Sequence, residues 1–97
     1  MNVEDMSESI RPIAERYGVD RIYLSKCTND DGRMDLSMDP GRLVSMRDIF
    51  EFTDELERLF GTKVRIVDRE STRNKELLRS MMEDEVLIYE WEGLDTD

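Results

Sequence analysis

The sequence of 97 residues predicts one α/β (α+β) domain, in which helices pack on a mixed sheet of three to four strands. Helical patterns alternate with short strand-like runs along the chain. A strand, a long helix and another strand follow one another between residues 33 and 67, an order that favours a parallel, right-handed connection. We expect a single domain over residues 1–97, with frayed ends at 1–6 and 92–97.

The first helix is expected over residues 7–17, where apolar residues recur at helical spacing. Ser7 or Ser9 can cap its start, and Gly18 is a natural end. The inward stripe consists of Ile10, Ile13, Ala14 and Tyr17. The first strand is then expected over residues 21–24.

The second strand is expected over residues 33–38, after a turn of Asn, Asp and Gly residues at 29–32. Side chains alternate between the two faces of a strand, so Arg33 and Asp35 share one face. The other face turns Met34, Leu36 and Met38 towards a core. A break at 39–41 ends the strand.

The longest helical pattern covers residues 43–60 and stops at Gly61. Its apolar positions, on or near one face, are Leu43, Met46, Ile49, Phe50, Thr53, Leu56 and Phe60. Its outer face carries the acidic residues Asp48, Glu51, Asp54, Glu55 and Glu57. The third strand follows at 63–67, and parallel pairing would bring Arg65 to the face that holds Asp35.

A last helix at 72–84, begun by Ser71 or Thr72, and a closing strand at 86–89 complete the predicted domain. The expected core comprises Ile10, Ile13, Leu24, Leu36, Ile49, Leu56, Val64, Ile66 and Leu78. Trp91 lies just beyond the closing strand, where it either covers an edge of the core or anchors a protein interface.

The composition excludes several classes of function. Fourteen basic and 24 acidic residues give a net charge of -10, which repels nucleic acids and anionic lipids, and no basic patch offsets it. No apolar stretch approaches the roughly 20 residues of a membrane span. The N-terminus lacks the basic and apolar regions of a signal peptide. We therefore expect a cytoplasmic protein without nucleic-acid or membrane partners.

The sequence contains one cysteine, Cys27, and no histidine. These residues cannot form an internal disulfide, a zinc site or a nucleophile activated by histidine. Any chemistry would have to depend on carboxylates. No cofactor and no metal are expected.

Two segments, GRMDLSMDPG at 32–41 and KVRIVD at 63–68, resemble the catalytic strands of the minimal nucleotidyltransferases, small relatives of DNA polymerase β. In that family two acidic residues separated by one spacer lie on one strand and a third lies on a later strand. The resemblance implies a nucleotidyltransferase-like fold. The aligned positions of this chain read Arg33, Asp35 and Arg65, so two of the three catalytic carboxylates are replaced.

The phosphate-binding turn departs from the family pattern as well. Members of the family have a Gly-Ser turn after the first strand, whereas residues 25–32 read SKCTNDDG. The resemblance therefore implies no catalytic residues here. Lys26, Arg33 and Arg65 could instead bind nucleotide phosphates without a metal, because guanidinium groups match phosphate oxygens. The alternatives are an exposed ion-pair cluster, or replacement of the lost ligands by nearby acids, namely Asp30, Asp31 and Asp39.

Minimal nucleotidyltransferases are commonly the antitoxin-like partners of HEPN-type proteins, which active members modify by nucleotidylation. The resemblance thus implies a protein partner, for example a protein of the HEPN type. It leaves the oligomeric state open. We expect a catalytically inactive, protein-binding module. The alternative is a nucleotide sensor or residual nucleotidyltransferase that uses the altered pocket.

Overall fold

The computed structural model of the chain describes residues 3–25, 34–70 and 73–95. The elements in chain order are α1 (Val3–Tyr17), β1 (Arg21–Ser25), β2 (Met34–Asp39), α2 (Met46–Phe60), β3 (Val64–Asp68), α3 (Lys75–Glu83), β4 (Glu85–Glu90) and a short 3-10 helix (Glu92–Asp95). The predicted turn at 29–32 and the capping residues Ser71 and Thr72 lie outside the described residues. None of the described helices is long and apolar enough to cross a membrane.

The four strands form one mixed sheet in the order β3-β2-β1-β4. β2 and β3 pair in parallel, as the strand, helix, strand order predicts, and β1 is antiparallel to both β2 and β4. Ile22 opposes Tyr89 whereas Tyr23 opposes Leu87, so Ile88 is the extra residue of a β-bulge in β4. This sheet confirms the predicted fold class.

The hydrophobic core lies between one face of the sheet and the helices α1 and α2. Its buried residues are Met6, Ile10, Ala14, Val19, Ile22, Leu36, Met38, Leu43, Phe52, Leu56, Val64, Ile88 and Tyr89. Ile10, Leu36, Leu56 and Val64 confirm the prediction. Other predicted core residues, Ile13, Leu24, Ile49 and Ile66, are only partly buried around this cluster. Leu78 is half-buried on α3.

Helix α1 begins at Val3, four residues before the predicted start. Ser7 and Ser9 therefore lie within the helix and do not cap it. The reason is that Met6 continues the inward stripe by one more turn and is buried. The helix also contains Pro12. Residues 3–6 and 92–95, expected to be frayed, are thus helical.

Helix α2 begins at Met46, three residues after the predicted start, because Ser45 is its N-cap. The Ser45 hydroxyl accepts a hydrogen bond of 3.5 Å from the backbone N–H of Asp48. The prediction that Phe50 lies on the inward face is wrong. At 3.6 residues per turn Phe50 and Phe52 point about 160° apart, and Phe52 is the buried one.

Both predicted glycine ends of helices are confirmed. Gly18 has a φ of 77° and Gly61 a φ of 67°, in the left-handed region that glycine adopts without steric penalty. Helix α3 (Lys75–Glu83) and strand β4 (Glu85–Glu90) lie close to their predicted positions.

Candidate functional site

The face of the sheet opposite α1 and α2 is lined with polar side chains, and we call it the polar face. Its residues, which the strand registers place side by side, are Arg21, Tyr23, Ser25, Asp35, Ser37, Asp39, Arg65, Val67, Glu85, Leu87 and Glu90. It includes Asp35 and Arg65, two of the residues that the sequence singled out. Lys26 and Arg33 lie outside the described residues, so their placement stays a prediction.

Asp35 and Arg65 are direct partners in the parallel pairing of β2 with β3. The Nε atom of Arg65 lies 3.2 Å from Oδ1 of Asp35. This pair confirms that the crossover brings Arg65 to the face of Asp35. The alternative of an exposed cluster is wrong for Asp35, whose side chain is only 5% exposed. Asp35 is buried because it lies on β2, between two neighbouring strands.

Arg69 is a residue of this face that the sequence analysis missed. Its guanidinium donates hydrogen bonds of 2.8 Å to both carboxylate oxygens of Glu85 and lies 4.0 Å from the ring centroid of Tyr23. The Arg69 backbone N–H donates to the carbonyl of Met38, which continues the ladder beyond β3. The signal was present in the sequence, since the alternation of 65 and 67 extends to 69.

A third group of charges lies where β1 meets β4. Arg21 donates a hydrogen bond of 2.7 Å to Glu90 and lies 3.5 Å from a carboxylate oxygen of Asp39. The hydrogen bond to Glu90 raises the pKa of Arg21. Asp39 is also 3.9 Å from Arg69, so arginines approach this carboxylate from β1 and from the residue that follows β3.

These carboxylates do not fit a magnesium ion. Magnesium in nucleotide sites binds oxygen ligands, including one or two carboxylates. Asp35 is held by Arg65, and Asp39 lies between Arg21 and Arg69. Within residues 3–25, 34–70 and 73–95, no group of three or more acidic, histidine or cysteine side chains is placed to hold a metal.

A second candidate site is a cleft of about 100 Å³ beside Trp91. The end of α1, the turn into β1, the loop after β2 and the end of β4 enclose it, and we call it the Trp91 cleft. It is lined by Glu15, Gly18, Val19, Asp20, Arg42, Tyr89 and Trp91. Trp91 is 45% exposed, and its backbone N–H donates to the carbonyl of Asp20.

The loops around the Trp91 cleft approach each other closely. Gly41 has a φ of 58°, and a Cβ atom at this position would lie 2.5 Å from the Asp20 carboxylate and 2.6 Å from the Gly18 carbonyl. Glycine is therefore needed at position 41, because a side chain there would prevent the loop after β2 from lying this close to Gly18 and Asp20. Inside the cleft wall, burial raises the pKa of Tyr89, and the charge of Glu15 raises it further.

No protein-family model matches the sequence, and no curated protein matches it either. Solved structures do match. A chain from the complex of the tri-AMPylated HEPN toxin of Shewanella oneidensis with its MNT antitoxin gives a TM-score of 0.71 at 13% identity, over 93% of this chain and 74% of that one.

Two further structures agree with this match. A chain from a toxin-antitoxin complex with AMP-PNP gives a TM-score of 0.69 at 13% identity, over 89% of this chain and 74% of that chain. A minimal nucleotidyltransferase gives 0.68 at 19% identity, over 89% of this chain and 95% of that chain. These identities are low, but the shared architecture extends over most of each chain. The chain has the fold of the minimal nucleotidyltransferases.

Proposed function

We propose that this chain is an antitoxin-like, protein-binding module that does not transfer nucleotides. The observation that carries the proposal is the pairing of Asp35 with Arg65 at 3.2 Å, at the place where the fold would hold its metal. The comparisons support the protein-binding part, because two of the similar structures are toxin-antitoxin complexes.

The chemistry argues against transfer. Nucleotidyl transfer needs magnesium to bridge protein carboxylates and phosphate oxygens as negative charge develops. Here the carboxylate of Asp35 is neutralised by Arg65, and Arg33 is expected on the same strand. Replacing carboxylates by guanidinium groups a few ångströms from a divalent cation opposes its binding by several kcal/mol.

The partner that we propose is a protein of the HEPN type. The net charge of -10 disfavours a nucleic acid or an anionic membrane and favours a partner with a basic surface. The same charge would accelerate association at low ionic strength.

The first prediction is that the protein shows no magnesium-dependent nucleotidyl transfer. Labelled ATP, magnesium and the candidate partner would be incubated with the wild-type chain and with Asp35→Asn, and an active nucleotidyltransferase would serve as the positive control. We expect no saturable labelling above background from either variant. Saturable labelling that Asp35→Asn abolishes would contradict the proposal.

Nucleotide binding without transfer is the second candidate function. It is favoured by the exposure of Arg65, whose side chain is 38% accessible although its partner is buried. Calorimetry with ATP in the absence of magnesium separates the two candidates. Binding that Arg65→Ala weakens would support a sensor, whereas the absence of heat supports the protein-binding module alone.

A further inference from the structure

We propose that the Trp91 cleft binds a cationic side chain, the guanidinium of an arginine or the ammonium of a lysine, presented by the partner protein. That a partner supplies the cation rests on the proposed function. The preference of the cleft for a cation rests on its own lining.

The first argument is the charge of the lining. Glu15 and Asp20 contribute carboxylates to the cleft. Asp20 forms no ion pair with a side chain in the described part of the molecule, and Glu15 is paired only across 3.9 Å to Arg11. Both members of that pair are largely exposed, so it contributes little. Asp20 is therefore available to an incoming cation, whereas Glu15 already has Arg11 nearby, which also lies 5.6 Å from the ring centroid of Tyr89.

The second argument is the hydroxyl of Tyr89. Tyr89 is only 2% exposed, and its buried hydroxyl has no hydrogen-bond partner among residues 3–25, 34–70 and 73–95. A buried polar group without a partner is unfavourable. Burial raises the pKa of this hydroxyl, the charges of Glu15 and Asp20 raise it further, and the charge of Arg11 lowers it. A neutral hydroxyl can accept an N–H donor of a guanidinium or ammonium group.

The third argument is the aromatic wall. A Cβ atom at Gly93 would lie 2.9 Å from two atoms of the Trp91 ring, so the indole lies directly against the backbone at Gly93. This contact packs part of the ring, while 45% of the residue remains exposed, and the residue lines the cleft. Tryptophan is the best aromatic partner for a cation. A cleft of about 100 Å³ has room for the head of an arginine or lysine side chain.

Arg42 is the one basic residue in the lining. Its Cβ, Cγ and Cδ atoms lie within 3.4 Å of the position that a Cβ at Gly18 would take, so its aliphatic part forms the wall. Its charge opposes a bound cation and would favour a bound anion. Arg42 therefore gives a test that distinguishes the two kinds of ligand.

The experiment uses the intrinsic fluorescence of Trp91, the single tryptophan of the chain. The probes are N-acetyl-arginine amide and N-acetyl-lysine amide, with N-acetyl-norleucine amide as the neutral control and N-acetyl-glutamate amide as the anion, at constant ionic strength. We expect a saturable change with the two cations only. Asp20→Asn should weaken the binding of the cations about tenfold, because a charged hydrogen-bond acceptor is lost. Arg42→Gln should strengthen it about twofold.

Asp48→Asn, which removes an exposed carboxylate on α2, is the matched control and should bind like the wild type. Glu15→Gln, at an exposed position, replaces Asp20→Asn if circular dichroism shows that the latter does not fold. The inference is overturned if the anionic probe binds and Arg42→Gln abolishes its binding, or if a folded wild type gives no saturable response to either cation. Neither result requires a partner protein. If the cationic probes bind the cleft but no partner protein binds the chain, only the proposed function is refuted.

Discussion

Glu55 connects the two helices that cover the sheet. The hydroxyl of Tyr17 and the guanidinium of Arg16 both donate hydrogen bonds to its carboxylate. The hydrogen bond from Tyr17, followed by that from Arg16, lowers the pKa of Glu55. The ring of Tyr17 also packs edge-on against Phe52, with 5.3 Å between the centroids. The carboxylate thus joins the end of α1 to the middle of α2.

The pKa of Glu55 makes the stability of the fold depend on pH. A carboxyl whose pKa is lower in the folded state stabilises the fold above its unfolded pKa, about 4.3, and loses this contribution as pH falls through the folded value. The free energy of unfolding of Glu55→Gln should therefore decrease less than that of the wild type as the pH is lowered from 7 to 3, measured by urea unfolding. Glu51→Gln, one turn away and exposed, is the control. Equal acid dependence of Glu55→Gln and the wild type would contradict the prediction.

The pairing of Asp35 with Arg65 could be predicted from the sequence, whereas the burial of Asp35 could not. Alternation along β2 and β3, together with the parallel crossover, determines which side chains share a face. Burial depends on the place of β2 between β3 and β1, and the strand order follows from packing between distant segments. Arg69 was missed for a simpler reason, because it lies two residues beyond the end of the predicted strand.

At the scale of one element, α1 continues through Pro12. Proline has no N–H to donate to the carbonyl of Glu8, and its ring crowds that carbonyl. Pro12 is exposed, so its replacement removes no core contact. Pro12→Ala should raise the free energy of unfolding by about 3 kcal/mol in urea titrations.

The control for this substitution is Glu8→Ala, an exposed change one turn earlier in the same helix, which should alter stability by less than about 0.5 kcal/mol. A stability for Pro12→Ala equal to or below that of the wild type would show that the fixed φ of proline at this position is favourable in the folded state.

In helix α2 the apolar periodicity does not identify the buried side correctly. Its apolar residues lie on more than one side, so the stripe alone could not show that Phe52 is inside and Phe50 outside. Packing decides it, because Phe52 is fully buried against α1, with 5.3 Å between its ring centroid and that of Tyr17. As a result Val44, Met46 and Phe50 are 77%, 65% and 66% exposed around the first turns of the helix. The sequence predicted the helix and its acidic outer face but assigned Met46 and Phe50 to its buried side.

At the scale of the whole molecule, Trp91 is the residue on which partner binding should depend. It is an exposed aromatic beside a cleft, and aromatic anchors dominate many protein interfaces. Trp91→Ala should weaken binding to the partner by more than about 1 kcal/mol in calorimetry, without unfolding the domain. Arg65→Ala, on the polar face, should change affinity little.

Phe50→Ala is the matched control for the loss of an exposed aromatic side chain. A ranking in which Arg65→Ala is the most damaging and Trp91→Ala has no effect would place partner binding on the polar face. If Phe50→Ala were the most damaging, the interface would lie on α2. In each case the acidic residues on the outer face of α2 should affect mainly the association rate and its salt dependence.

The bulge at Ile88 determines the orientation of side chains on both the polar face and the Trp91 cleft. Because of this extra residue, Tyr89 faces the core next to the cleft while Glu90 reaches Arg21 on the opposite side of the sheet. Deletion of a single residue here would reverse the orientation of every later side chain in β4. Glu90 would leave the ionic network, and Tyr89 would leave the wall of the cleft. A change in length at this point therefore cannot alter one surface and spare the other.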